Sequence, residues 1–200
     1  MNRDEELATV TDPATASWLR RAAPAGTCVL DVGCGPAQYR RSVGGRYIGL
    51  DITAAEYRPG LARDPDVVAD AYRLPFGRAV FDLVFFAHTF YHFADASRAL
   101  DEARRTLRPG GLVAIFDYSR PTLVRLAESY ARSGQGAVAV VRSCADWIRL
   151  LSQHGWRDPD IGSSSLSPIV AMGRRYLPSP LYRAWIDGGE RAIVVTARAP

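Results

Sequence analysis

The chain has 200 residues, of which 48% are hydrophobic, and this length and composition suffice for one domain with a sizeable core. Its net charge of +4 comes from 25 basic residues, all Arg, which are scattered along the chain in pairs at most. A nucleic-acid-binding surface instead concentrates basic residues on one face. We therefore predict a single domain over residues 1–200 with no nucleic-acid partner.

The composition also argues against a metalloprotein, a membrane protein and a secreted protein. Cys28, Cys34 and Cys144 are too few and too badly spaced for a disulfide framework or a zinc cluster, so we predict no metal. No stretch approaches 18 consecutive apolar residues, which predicts no membrane span. Residues 1–6 lack the apolar segment of a signal peptide, so we expect a cytoplasmic protein. The complete absence of Lys is typical of a GC-rich bacterial genome.

Residues 28–43 predict a buried strand, a glycine turn and a helix in succession. The apolar run around Asp31 is typical of a parallel strand, and Gly33 and Gly35 follow it at once. Glycine allows a ligand to approach the backbone closely. Pro36 occupies the position that proline favours at the start of a helix, and we expect this helix to end at about residue 43. A polar ligand would then lie over the N-terminus of that helix.

The rest of the chain predicts alternating strands and helices. Helix N-caps are expected at Asp12, Asp95 and Ser143, the last paired with Asp146. We expect further strands at 46–51, 66–70, 80–87, 112–116, from 155 onward and at 191–197, and further helices at 13–24, 54–62, 96–108, 121–132 and 144–154. Pro109 and the two glycines after it are expected to form a turn. This alternation is typical of a doubly wound, mostly parallel sheet.

Acidic residues follow the predicted strands at the edge where open α/β sheets bind their ligands. Asp51 at the end of the second strand can accept both hydroxyls of a ribose, or it can be an ordinary turn or cap residue. The glycine turn lacks the third glycine of a dinucleotide fingerprint. Asp31 would also repel a pyrophosphate, so the residues favour a ligand that carries an ammonium group.

Four segments together resemble a known family. They are residues 30–35 (LDVGCG), 47–51 (YIGLD), 69–84 (ADAYRLPF followed by FDLV) and 107–112 (LRPGGL). Their order and spacing resemble the class I S-adenosylmethionine (SAM)-dependent methyltransferases, in particular the ubiquinone/menaquinone-type branch. The resemblance covers about residues 27–118. It implies a Rossmann-like, seven-stranded sheet whose last strand is antiparallel, SAM as cofactor and S-adenosylhomocysteine as product.

The resemblance also implies roles for individual residues. Asp31, Gly33 and Gly35 would hold the methionine end of SAM, Asp51 the ribose, Ile52, Asp70 and Ala71 the adenine, and Ala87 and His88 would lie near the sulfonium. Ala37 stands where many relatives have Gly, and we expect its methyl group to narrow the site slightly.

Methyl transfer needs a base only if the acceptor loses a proton. His88 and His92 are the candidate catalytic residues because imidazole titrates near neutral pH, although either can equally pack structurally. Asp117, after the fifth strand, has two interpretations: it faces the substrate, or it caps a helix.

The predicted function is methyl transfer to oxygen or carbon of a small, largely apolar metabolite. Residues 87–90 (AHTF) differ from the Asn-Pro-Pro-Tyr sequence of amino-methylating enzymes, and the compact chain argues against a macromolecular target. Two alternatives remain at this point: a SAM-bound enzyme that catalyses cyclisation or elimination, and a non-catalytic SAM-fold subunit. We expect a monomer or homodimer.

Overall fold

The computed structural model describes residues 12–52, 65–133, 140–163 and 192–200, and these contain a seven-stranded sheet with helices. The strands are β1 (Cys28–Val32), β2 (Arg46–Asp51), β3 (Val67–Val68), β4 (Phe81–Ala87), β5 (Leu107–Tyr118), β6 (Arg157–Ser163) and β7 (Ala192–Arg198). The α-helices are α1 (Pro13–Ala22), α2 (Ala96–Thr106), α3 (Arg120–Ser133) and α4 (Cys144–Gln153).

The strand order is β3-β2-β1-β4-β5-β7-β6. Strand β1 pairs in parallel with both β2 and β4, whereas β7 lies antiparallel between β5 and β6. The predicted fold class is therefore confirmed, including the antiparallel last strand. The chain order reverses between β1 and β4, and in open α/β sheets such a switch point forms a crevice at the carboxyl ends of the strands.

Apart from Asp82 near its start, strand β4 is apolar, because it is buried on both faces of the sheet. Phe85 packs in the hydrophobic cluster on the α1 face, and its neighbour Phe86 packs in the cluster on the opposite face. Successive side chains of a strand point to opposite faces, so one continuous apolar run supplies two cores. This rigid centre positions the residues that follow β4.

The three predicted helix caps are confirmed. The Asp12 carboxylate accepts a hydrogen bond from the Thr15 N–H at 2.8 Å. The Asp95 carboxylate accepts one from Arg98 at 3.0 Å. Ser143 and Asp146 form a reciprocal capping box at the start of α4.

The helix predicted to begin at Pro36 is wrong. Turns follow β1, and only a short 3₁₀-helix, Arg40–Ser42, lies within the predicted range. The reason is Ala37, whose φ of +53° is left-handed and therefore incompatible with a continuous right-handed helix. A ligand at this turn would meet turn backbone rather than a helix N-terminus.

The boundary between α2 and β5 also differs from the prediction. Helix α2 ends at Thr106, and β5 begins at Leu107 rather than at Leu112. The pairing of β5 with β4 jumps from Phe81–Leu107 to Leu83–Leu112, so the segment around Gly110 bulges out of the ladder instead of preceding it. Gly110 has φ +75°, which permits this bulge.

Some expectations lie outside the described residues: the helix at 54–62 and most of the segment 162–190, for which the sequence pattern gave no assignment. Within the described ranges, no helix combines the length and the apolarity needed to cross a lipid bilayer.

Candidate active site

A cleft of about 680 Å³ opens at the carboxyl ends of β1, β2 and β4. The ten residues that the sequence analysis assigned to SAM binding or catalysis all line this cleft: Asp31, Gly33, Gly35, Asp51, Ile52, Asp70, Ala71, Ala87, His88 and His92. The parallel sheet brings them together because the ends of adjacent parallel strands lie at one edge.

Asp31 is completely buried at the end of β1. Its Oδ2 accepts a hydrogen bond from the Tyr47 hydroxyl at 2.6 Å, and its Oδ1 has no hydrogen-bond partner among the described residues. Burial raises the pKa of Asp31 to about 7, against the opposing effect of the Tyr47 hydrogen bond. A buried acceptor without a partner costs free energy, so this oxygen fits a cationic hydrogen-bond donor of a ligand.

Asp51 is held in a fixed orientation by two backbone donors. Its Oδ2 accepts the Gly35 N–H at 2.9 Å, and its Oδ1 accepts the Ile52 N–H at 2.7 Å. The Asp51 carboxylate thereby ties the glycine turn to the end of β2. The next side chain, Ile52, is 67% exposed, which is unusual for a large aliphatic residue beside a cleft and suits a flat apolar ligand group.

Gly33 lies where the glycine turn touches the segment after β4. Its φ is +73°, and its N–H donates to the Leu50 carbonyl at 2.7 Å. A Cβ atom at Gly33 would lie 2.4 Å from Oγ1 of Thr89. Only glycine therefore satisfies both the backbone conformation and the available space.

Ala37 does not narrow the cleft, contrary to the expectation. Its side chain is buried in the hydrophobic cluster on the α1 face and does not belong to the cleft lining. The cost of Ala in place of Gly lies instead in the backbone, because a left-handed L-residue costs roughly 1–2 kcal/mol.

Asp70 and Ala71 form a turn on the rim beyond β3. The Asp70 carboxylate accepts the N–H of Tyr72 at 2.8 Å, and the Asp70 carbonyl accepts that of Arg73 at 2.9 Å. Both residues line the cleft, and Ala71 is buried whereas Asp70 is exposed.

His88 follows β4 in a strained conformation, with φ +55°. Its ring stacks on Tyr118 with centroids 4.9 Å apart, and its Nδ1 is buried without a hydrogen-bond partner in the described residues. Burial lowers the pKa of His88, which keeps the imidazole neutral near pH 7. Left-handed backbone at a non-glycine residue is concentrated at functional sites, and no periodicity in the sequence could have indicated it.

His92 ends a 3₁₀-helix, Phe90–His92, and is exposed at the rim of the cleft. Its ring lies against that of Tyr91, with centroids 4.2 Å apart. Partial burial lowers the pKa of His92, so this ring is also neutral near pH 7.

Asp117 matches neither of its two interpretations. It does not belong to the cleft lining, and α3 begins three residues later, so Asp117 is not the N-cap. Its carboxylate is buried and accepts the Tyr118 N–H at 2.8 Å. Burial raises the pKa of Asp117 to about 7.

Sequence reasoning missed two residues of this cleft region, Tyr47 and Thr89. Tyr47 bonds to Asp31, and Thr89 closes the space above Gly33. Tyr47 had a detectable signal, because it alternates with Gly49 on one face of β2, but nothing in the pattern identifies its partner.

Comparison with known proteins agrees with this geometry. Residues 30–115 match the family model described as the methyltransferase domain. The 27-O-demethylrifamycin SV methyltransferase of Amycolatopsis mediterranei is 32% identical over 159 residues, which is 69% of this chain and 58% of that protein. The demethylmenaquinone methyltransferase of Mycobacterium bovis is 36% identical over 122 residues, 58% of this chain and 51% of that protein.

A solved structure supports the fold. The crystal structure of a putative methyltransferase from Bacillus halodurans aligns with a TM-score of 0.60 and 20% identity, covering 98% of this chain and 99% of that one. This chain contains a class I, SAM-dependent methyltransferase domain. It spans a little more than half the length of the two curated relatives.

Proposed function

We propose that this chain transfers a methyl group from SAM to oxygen or carbon of a small-molecule acceptor. The observation that carries the proposal is the buried, unpartnered Oδ1 of Asp31 in the same cleft as Asp51. One carboxylate is suited to an ammonium group and the other to ribose hydroxyls. The two relatives named above are methyltransferases of rifamycin and menaquinone type, which supports a small acceptor.

The cofactor would extend across the strand ends. Asp31, with the backbone of Gly33 and Gly35, receives the methionine end, and Asp51 accepts the ribose hydroxyls. Ile52 packs on the adenine, and the Asp70 carboxylate and Ala71 N–H bind its edge. The sulfonium then lies near Ala87 and His88, beside the part of the cleft that would hold the acceptor.

SAM supplies an electrophilic methyl group when bound, so the protein contributes mainly alignment. Holding the acceptor in line with the methyl group is worth roughly 7–11 kcal/mol in favourable cases. Tyr91 and Phe93 line the cleft, and Tyr118 packs against both His88 and Tyr91. These rings favour an apolar or aromatic acceptor.

The labelled methyl group tests the proposal directly. SAM carrying a labelled methyl group is incubated with the protein and a metabolite extract, and products are separated by size. We expect label in a small compound together with an equal amount of S-adenosylhomocysteine. Label only in RNA or protein, or product without S-adenosylhomocysteine, would contradict the proposed acceptor class or the methyl transfer itself.

The Asp51→Ala variant is expected to bind SAM at least about tenfold more weakly, because charged hydrogen bonds to the ribose are lost. Affinity for 5′-methylthioadenosine should fall by the same factor, since that ligand keeps the ribose and lacks the methionine end. Titration calorimetry measures both. Asp101→Ala, on the surface of α2, serves as the control. Unchanged affinity in Asp51→Ala would refute the ribose assignment.

We propose His92 as the base where the acceptor loses a proton, because its exposed ring can pass that proton to water. The His92→Ala substitution is expected to lower kcat by about 100-fold or more while the Kd of SAM stays unchanged. In the wild type, kcat should persist as the pH falls and decline only below the ordinary histidine value of about 6.5, since the pKa of His92 is lowered.

His154→Ala is the matched control, because His154 lies at the end of α4 and contacts Asp101 rather than the cleft. His88→Ala completes the set of described histidines. A larger loss of kcat in His88→Ala than in His92→Ala would transfer the role of base to His88.

A further inference from the structure

Tyr47 reaches Asp31 across a glycine. In the parallel pairing of β1 and β2, Asp31 lies opposite Gly49, and Tyr47 precedes Gly49 by two residues on the same face. A Cβ atom at Gly49 would lie 3.1 Å from Cε1 and 3.2 Å from the hydroxyl of Tyr47. The missing side chain therefore makes room for the tyrosine ring, whose hydroxyl donates to Oδ2 of Asp31 at 2.6 Å.

The two carboxylate oxygens of Asp31 have different surroundings. Oδ2 is bonded to a neutral donor of the protein, and Oδ1 has no partner in the described part of the chain. We propose that Tyr47 is a positioning residue for SAM, which keeps the Asp31 carboxylate ionised through Oδ2 and so leaves a charged Oδ1 for the ligand's ammonium group. The inference rests on the assignment of Asp31 to the methionine end of SAM in the proposed function.

The charges around Asp31 explain why such support is needed. Burial is the largest influence and raises the pKa of Asp31, and the negative charge of Asp51 raises it further. The Tyr47 hydrogen bond and the positive charge of Arg40 lower it, which leaves a value of about 7.

The other groups near this carboxyl are Cys34 in the glycine turn and Tyr39 beyond it, both of which have a raised pKa and stay neutral near pH 7. On the β4 side, Asp31 pairs with the apolar Phe85. Tyr47 is thus the neutral donor that directly favours the charged form of Asp31.

The test measures binding of S-adenosylhomocysteine by calorimetry from about pH 5.5 to 9.5 in the wild type and in Tyr47→Phe. The wild-type affinity should rise with a midpoint near the Asp31 value of about 7. Loss of a hydrogen bond to the carboxylate should move this midpoint up by about one pH unit. Tyr47→Phe would then bind about fivefold more weakly at about pH 7 and equally well at about pH 9.5.

A second readout needs no ligand. Carbon NMR of the Asp31 carboxyl in the free protein should show the same upward shift in Tyr47→Phe. The ligand's own amino group titrates identically in every variant, so it cannot produce a difference between them. Tyr39→Phe, which also removes a buried hydroxyl but none bonded to Asp31, should leave the midpoint in place.

Two outcomes would overturn the inference: an unchanged midpoint in Tyr47→Phe, or an equal loss of affinity at every pH, which would indicate a packing role only. Binding of S-adenosylhomocysteine to Asp31→Asn tests the proposed function separately from the role of Tyr47. If Asp31→Asn binds S-adenosylhomocysteine as well as the wild type does, the assignment of Asp31 is wrong. If Asp31→Asn loses binding and Tyr47→Phe keeps the wild-type midpoint, only the role of Tyr47 is wrong.

Discussion

The Asp31→Asn substitution is expected to stabilise the ligand-free protein at about pH 8 and to weaken SAM binding by about 10- to 100-fold. The pKa of Asp31 rises from 3.8 to about 7 on folding, which corresponds to about 4 kcal/mol of unfavourable free energy when the group ionises. The new amide places an NH2 group without a partner where Oδ1 lay, and burying this donor group costs about 2 kcal/mol. We therefore expect a net gain of about 2 kcal/mol in the free energy of unfolding.

The stability of the wild type depends on pH, because Asp31 binds its proton more tightly in the folded than in the unfolded chain. Between about pH 4 and 7, folded Asp31 keeps a proton that the unfolded chain has released, so wild-type stability falls as the pH rises through this window. Asp31→Asn lacks this contribution, and its advantage over the wild type should grow from about pH 4 to 7 and then stay constant. Urea unfolding at several pH values measures the difference.

Asp117→Asn is the matched control. The pKa of Asp117 is also raised to about 7 by burial, but Asp117 does not belong to the cleft lining. We expect the same gain in stability from Asp117→Asn with unchanged affinity for SAM. If the Asp31→Asn protein is less stable than the wild type at about pH 8, the argument from the burial of Asp31 is wrong. If it binds SAM as tightly as the wild type does, the role of Asp31 in binding is wrong. If both expectations hold, Asp31 is a residue at which the protein gives up stability for ligand binding.

The Gly33→Ala substitution is expected to lower the free energy of unfolding by about 3 kcal/mol. Part of the loss is the left-handed backbone, with φ +73°, and part is the overlap of the new methyl group with Thr89. Because relief of this overlap must displace the turn that carries Gly35 and its bond to Asp51, SAM affinity should also fall at least about tenfold. Urea unfolding and calorimetry measure the two effects.

Gly35→Ala separates the two causes. Gly35 has φ +50°, but a Cβ atom there meets nothing within 4 Å, so only the backbone cost of about 1–2 kcal/mol is expected. Adding Thr89→Gly to Gly33→Ala should restore the part of the stability that the overlap removes. Equal losses in the two alanine variants, or no rescue, would show that Thr89 does not determine the requirement for glycine.

Strand positions and helix caps could be predicted because they depend on neighbours in the chain. The apolar run at β4 reflects burial on both faces, and the caps at Asp95 and Ser143 bond to N–H groups three residues away. The meeting of Asp31 and Asp51 also followed from the pattern, since parallel strands bring their carboxyl ends to one edge. The ten residues assigned to SAM binding or catalysis line the cleft for this reason, whereas Asp117, the other candidate for facing the substrate, does not.

The remaining features required the tertiary structure, because they depend on contacts between distant segments or on single backbone angles. The bond from Tyr47 to Asp31 requires the exact pairing of β1 with β2, and the contact of Thr89 with Gly33 requires the packing of two loops. The left-handed angles of Ala37 and His88 leave no trace in hydrophobic periodicity, so the predicted helix at Pro36 failed. Periodicity reports which face of an element is buried, whereas the partner of a buried polar atom is decided only when the elements pack together.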